Sequence, residues 1–170
     1  MPIYFSVDRN KTLQKGTEIA LIQHNDISPV ELQNYINTLF PDGVTNHGER
    51  YMLQPCPANQ VNSVIELIFE YERRNNFISC PSRMQSVFAF DNLESAKKFR
   101  EIYGNNQGAI VKIDAISAFK ADMNLLTLKD SLLQLSYNAH KYWKGEASDS
   151  PFWEHLLIPP VKVIDIIKDE

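Results

Sequence analysis

Glycine is scarce in this chain, six residues in 170, and neither GxGxxG nor GxxxxGK[ST] occurs, which excludes the common phosphate-cradling loops. Cysteine is scarcer still. Cys56 and Cys80 stand apart, with no CxxC and no histidine at zinc spacing, so neither a disulfide framework nor a metal site is indicated. HExxH and GxSxG are missing as well, and His24, His47, His140 and His155 are scattered as surface or satisfied structural histidines are. No segment approaches the roughly 18 apolar residues of a membrane span, and the opening MPIYFSVDRNK has no basic stretch followed by an apolar run. The expectation is a cytoplasmic protein with no membrane partner. Nor is positive charge in excess: the formal charge is −4 and the pI about 5.6, against binding to nucleic acid by bulk electrostatics, although nucleic acid stays open as a target.

What the chain does have is 44% hydrophobic residues, enough for one domain over 1–170 with a sizeable core. The aromatic, β-branched PIYFSVDR predicts a strand, and LQKGTEIALI a second. SPVELQNYINTLFPDG predicts a helix with Ser28 as N-cap, Pro29 at the first helical position, Glu31 closing a capping box, and Leu32, Tyr35, Ile36, Leu39 and Phe40 as its buried face. NQVNSVIELIFEYERRNN predicts another, with Val61, Val64, Ile65, Ile68 and Tyr71 inward and EYERR as a solvated end.

SVFAF then reads as a short strand. Asp91 and Glu94 read as a capping box for a helix carrying Leu93, Ala96, Phe99 and Tyr103 up to Gly104, and AIVKIDAI as the next strand. A helix follows over Leu132 to Trp143, with Gly145 near its end, and FWEHLLIPPVKV is a strand pair bent at Pro159 and Pro160. Helices and strands alternate without a strict βαβ rhythm, so the fold class is α+β.

Three of these segments, in order, resemble the motifs of the ADP-ribosyltransferase superfamily. IYFSVDR with LQKGTEI is similar to its first strand and following turn, SVFAFDNLESAKKF to its second motif, and WEHLLIPPVKV to its last, a glutamate leading a strand, a proline turn and a second strand. The blocks PSRMQSVFAFDNLESA, FKADMNLL and HKYWKGE also resemble a less characterised bacterial family of this size. The resemblance implies a split β-sheet core with an NAD cleft, NAD as substrate, and ADP-ribosyl transfer. The acceptor could be protein, nucleic acid or a small molecule, in a bacterial or phage toxin or defence setting with a neutralising or regulatory protein partner.

On that resemblance Glu154 is the catalytic glutamate and Ser86 the hydroxyl beside nicotinamide. Phe88, Phe90 or Trp153 would form the aromatic wall, and Ser6, Arg9 and Arg83 would contact the cofactor. The chemistry suits the residue types, because loss of nicotinamide leaves a cationic ribose that a carboxylate stabilises.

Two positions depart from the pattern. Phe5 or Ser6 stands where the first motif carries Arg or His, and Phe152 stands where arginine-modifying members carry a second acid, which argues against arginine as acceptor. Each candidate also has a plain structural counterpart: Glu154 as a strand-end carboxylate, Ser86 as an edge residue, Arg83 as a surface arginine, Asp122 as a turn or cap residue, Tyr142 and Trp143 as core with one exposed edge. Glu146 is a second candidate acid. A binding module of the same fold and an NAD glycohydrolase are the alternatives.

Overall fold

The computed structural model describes residues 2–57 and 59–168. Its strands are β1 (Ile3–Asp8), β2 (Glu18–Ile19), β3 (Val87–Ala89), β4 (Ala109–Asp114), β5 (Ala118–Asp122), β6 (Trp153–Leu157) and β7 (Val161–Ile167). Its α-helices are α1 (Val30–Leu39), α2 (Asn46–Gly48), α3 (Val61–Asn76), α4 (Leu93–Gly104) and α5 (Leu132–Lys144). The strands form two separate antiparallel sheets, ordered β1-β4-β7-β2 and β3-β6-β5, so the fold is α+β. Among the described residues no helix is long and apolar enough to cross a membrane.

The two sheets meet edge to edge at β1 and β3. Phe5 and Phe90 exchange backbone hydrogen bonds of 2.8 Å in each direction. One residue further on, Ser6 Oγ donates to the Phe88 carbonyl at 2.7 Å. Because successive side chains on a strand point to opposite faces, Phe5 turns into a cluster with Phe90, Ala96 and Ile110, and Ser6 turns the other way.

The same alternation organises β6. Leu156 packs with Ile65, Phe69, Leu135, Ala139 and Trp143 under α3 and α5, and Leu157 packs with Val111, Ile113 and Val163 of the other sheet. Glu154 shares a face with Leu156, which carries its carboxylate towards α3 and α5. Trp153 points away from that face and sits under the Lys120 ammonium, 4.9 Å from its ring centroid.

The segment leading into β6 is pinned by Asp122, at the end of β5. Its carboxylate accepts from Asn124 N, Ser148 N, Ser148 Oγ and Phe152 N. Burial pushes this carboxyl up, but the bonds from Ser148, Phe152 and Asn124 outweigh it and hold it below the ordinary value. Such a group stabilises the fold fully above its unfolded pKa of about 3.9 and loses that contribution as pH falls through its folded value. Asp122→Asn should therefore lower the urea unfolding free energy by about 1–3 kcal/mol at pH 7, with the gap to the unaltered chain narrowing as pH falls below about 3.9.

Several helix expectations shift, for identifiable reasons. α1 starts at Val30 behind Pro29, and Ser28 makes no cap bond. Its expected inner face is half outside: Leu32 and Tyr35 are exposed, and it is Phe40, past the helix end, that buries with Val44 and Met84. The cap of α4 is Asn92 rather than Asp91, accepting from Ser95 N at 2.8 Å, and the chain turns at Asn105 rather than Gly104.

On α3 the buried stripe is Ile65, Glu66, Phe69, Glu70 and Arg73, while Val61, Val64 and Tyr71 face solvent. The charged end is thus interior, because its charges find partners. Arg73 pairs bidentately with Glu70 and donates to the Cys80 carbonyl, and Ser82 Oγ donates to Glu70. Tyr142 and Trp143 of α5 are wholly inside, with no exposed edge.

Candidate functional site: a cleft floored by two carboxylates and one arginine

Where β1 and β3 part beyond the Phe5–Phe90 bridge, a cleft of about 490 Å³ opens, walled by β1, α2, α3, β3 and α4. That is within the range of small-molecule sites, roughly 300–1,000 Å³. Its floor is a buried ionic cluster. The Arg83 guanidinium, in a 3-10 turn over Arg83–Gln85, donates from Nε and Nη2 to the two oxygens of Glu66, at 2.9 and 3.0 Å. Its Nη1 donates to Glu154 Oε1 and to the Tyr142 hydroxyl, both at 2.6 Å. Tyr142 in turn donates to Glu154 Oε1 at 2.8 Å. Both bonds to Glu154 fall on Oε1; among the described residues Oε2 has none.

Burial shapes the protonation of this cluster. It pushes the Glu66 carboxyl up, yet Arg83 and His47 outweigh it and hold the group well below the carboxylate range. Burial would also discharge Arg83, but Glu66, Tyr142 and Glu154 keep it a cation. The Tyr142 phenol is pushed up by burial, with Arg83 opposing and Glu154 reinforcing, so it stays a donor.

The reading of Arg83 as a surface arginine does not hold, and its geometry does not favour the alternative of a cofactor contact. It is 4% exposed with its donors engaged, and its plane lies over Phe88 at 4.5 Å, so it positions Glu154 instead of reaching for an anion. The neighbouring turn explains why: Ser82 caps it by accepting from Met84 N and ties it to Glu70.

The remaining candidates divide. Glu154, Ser6, Arg9, Ser86, Phe88 and Phe90 all border the cleft. The Ser86 hydroxyl, however, is buried and donates to the Ser82 carbonyl at 2.7 Å, and Ser6 is likewise spent on Phe88 O. Phe90 is a core residue stacked on Phe152, which leaves Phe88 as the aromatic wall. Arg9 is exposed at the mouth, over the Phe99 ring. Trp153, on the opposite face of β6, is not part of the lining, nor is Glu146, which pairs in solvent with Lys144 at 2.7 Å.

Three site residues escape sequence reasoning. Glu66 and Tyr142 lie within helical stripes that read as ordinary, and only the pairing with Arg83 marks them. The third is His47, one of four histidines scattered along the sequence. It stands on α2 with Nε2 3.1 Å from Glu66 Oε1, its ring between Tyr51 and Phe88. A π-helical turn over Glu49–Leu53 continues α2 and brings Arg50, also exposed, to the mouth of the cleft.

A family model matches residues 3–169, nearly the whole described chain. The chain belongs to the family described as Protein of unknown function (DUF2441). No curated protein matches it. Within this family member, the packing of α2 depends on Gly48. A Cβ there would stand 2.3 Å from the Met84 carbonyl oxygen and 2.7 Å from Val44 Cβ. Gly48→Ala gains up to about 1 kcal/mol of helix propensity, but backbone on one side cannot yield. The net expectation is a loss of about 1–3 kcal/mol in urea denaturation, with the His47 ring displaced from Glu66.

Proposed function

We propose that the cleft binds NAD and transfers its ADP-ribosyl group, with Glu154 as the group that stabilises the ribosyl cation. The observation that carries this reading is how charge is distributed with depth. Two buried carboxylates share one guanidinium at the floor, leaving a net negative charge, while Arg9 and Arg50 stand exposed at the mouth. The nearby Asp8 is taken up by its own turn, accepting from Asn10 N and Leu13 N. NAD has the matching polarity, a cationic nicotinamide riboside at one end and an anionic diphosphate next to it. A cation-lined mouth suits the diphosphate and an anionic floor the ribosyl cation that develops as nicotinamide leaves.

The split sheet pair, with Glu154 at the head of β6 and a proline turn leading to β7, supports a likeness to the ADP-ribosyltransferase fold. So does the open cleft, which Phe5 does not fill. Phe88 would lie against nicotinamide, and Arg83 and Tyr142 would hold Glu154 in one rotamer. The decisive experiment is nicotinamide release from NAD by the purified chain, with and without cell lysate, beside Glu154→Gln. Release that requires Glu154 and increases with lysate supports the transferase. Release independent of lysate supports a glycohydrolase.

One observation favours a second reading, a binding module of the same fold. Both cleft serines spend their hydroxyl protons on main-chain carbonyls. NAD binding in calorimetry without any nicotinamide release would select that reading.

A further inference from the structure

The transfer chemistry above leaves one pair in the cleft without a role, His47 and Glu66. We propose that His47 is the general base that deprotonates the acceptor, and hence that the acceptor presents a neutral hydroxyl. This rests on the transferase reading and names its acceptor class.

The pair has the construction of a carboxylate–imidazole dyad. Glu66 Oε1 lies 3.1 Å from His47 Nε2, a close charge contact whose N–H is not aligned for a hydrogen bond, and the carboxylate cannot swing away because Arg83 grips both of its oxygens. The imidazole is held between the Tyr51 ring at 4.8 Å and the Phe88 ring at 4.6 Å. Its backbone is seated by Gly48 against the Met84 carbonyl. The side chain is 21% exposed although Nε2 itself is buried, so Nδ1 is the nitrogen open to the cleft.

A lone pair on Nε2 would face the Glu66 carboxylate at 3.1 Å and be repelled by it, so in neutral His47 the proton resides on Nε2 and the lone pair on Nδ1. The charged and titratable groups facing the ring are Glu66 of α3, Arg83 behind that carboxylate, and Tyr51 on the π-helical turn; β3 offers the apolar Phe88.

Such a base selects among acceptors. A guanidinium is too weak an acid for imidazole to deprotonate, and a thiol already ionises partly near neutrality. A hydroxyl stays protonated and must shed its proton as the bond forms. In the step, the acceptor oxygen forms a bond to ribose C1′. The C1′–nitrogen bond breaks, its electron pair neutralising the pyridinium of the departing nicotinamide. The hydroxyl proton moves to His47 Nδ1 and then to solvent.

The test uses two small nucleophiles with the full chain and NAD. Methanol brings a proton that must be removed; azide, anionic at pH 7, brings none. His47→Gln keeps a donor near the Nε2 position, and matched urea midpoints verify the fold. The variant should lower the rate of methyl ADP-ribose formation relative to that of azide-dependent nicotinamide release by roughly 100-fold. Separately, imidazole ¹⁵N shifts of the unaltered chain should show His47 as the Nε2–H tautomer.

Equal losses with methanol and azide, or no loss with either, would overturn the assignment. So would the Nδ1–H tautomer. Absence of turnover with both nucleophiles in the unaltered chain would sink the transferase reading together with the acceptor class, and the tautomer would then decide separately whether the dyad exists.

Discussion

Arg83→Ala is expected to lower the unfolding free energy at pH 7 by roughly 3–5 kcal/mol, the largest stability effect of any single change in the cleft. The guanidinium stands between Glu66 and Glu154, both nearly sealed from solvent, and supplies four charge-assisted bonds. Removing it leaves two buried carboxylates close together with a phenol as the main donor. Substituting well-packed apolar groups for all partners would cost far less; deleting one partner strands the others.

The pH dependence should change sign as well. In the unaltered chain the Glu66 carboxyl is held low, so its contribution is fully present above the unfolded value of about 4.3 and is lost as pH falls below it. Without Arg83 burial dominates and raises that carboxyl above its unfolded value. Its penalty is then absent at low pH and grows as pH rises through the unfolded value. Urea titrations between pH 4 and pH 8 should show Arg83→Ala losing stability upwards, while its parent gains slightly near pH 4 and then stays level as far as Glu66 is concerned. A parallel pair of curves would mean that water enters the floor and replaces the guanidinium.

Glu154→Gln is expected to carry the largest effect on activity and a small one on stability. Glutamine keeps an oxygen that can accept from Tyr142 and Arg83, so the geometry of the floor persists. What it loses is the negative charge beside the forming ribosyl cation. Loss of one such electrostatic group costs about 10²–10³ in rate, so nicotinamide release should fall by that factor while NAD affinity changes little. The comparison isolates charge from shape: a collapse of NAD binding in Glu154→Gln would assign Glu154 to ground-state binding, and full activity would remove it from the mechanism.

How the two variants differ depends on a feature no local window contains. Glu154 is legible as a candidate because it heads an apolar strand and precedes Ile158-Pro159-Pro160, a context that stands out within a dozen residues. Arg83 is legible as a charged residue but with the wrong role. Its partners come from 17, 59 and 71 residues away, and residue type alone makes an arginine in a loop look solvated. His47 carries even less signal, because its ligand-like surroundings are made by Glu66, Tyr51 and Phe88, which meet only in the folded chain.

Periodicity and turn chemistry are local properties, and these are what the sequence determined by itself. Composition and alternation placed α3, α4, α5, β1 and β4 where they occur and set the α+β class, whereas only the structure showed that Ser6 and Glu154 face the cleft and that Phe5 and Trp153 do not. Tertiary structure alone decided which face of α3 is buried and that its acidic and basic residues are interior. It also decided that the cleft floor is a shared ion cluster and that both serines are spent on carbonyls. The physical reason is that a charge can be buried only when a partner of opposite sign arrives with it, and that partner is supplied by topology rather than by neighbours in the chain.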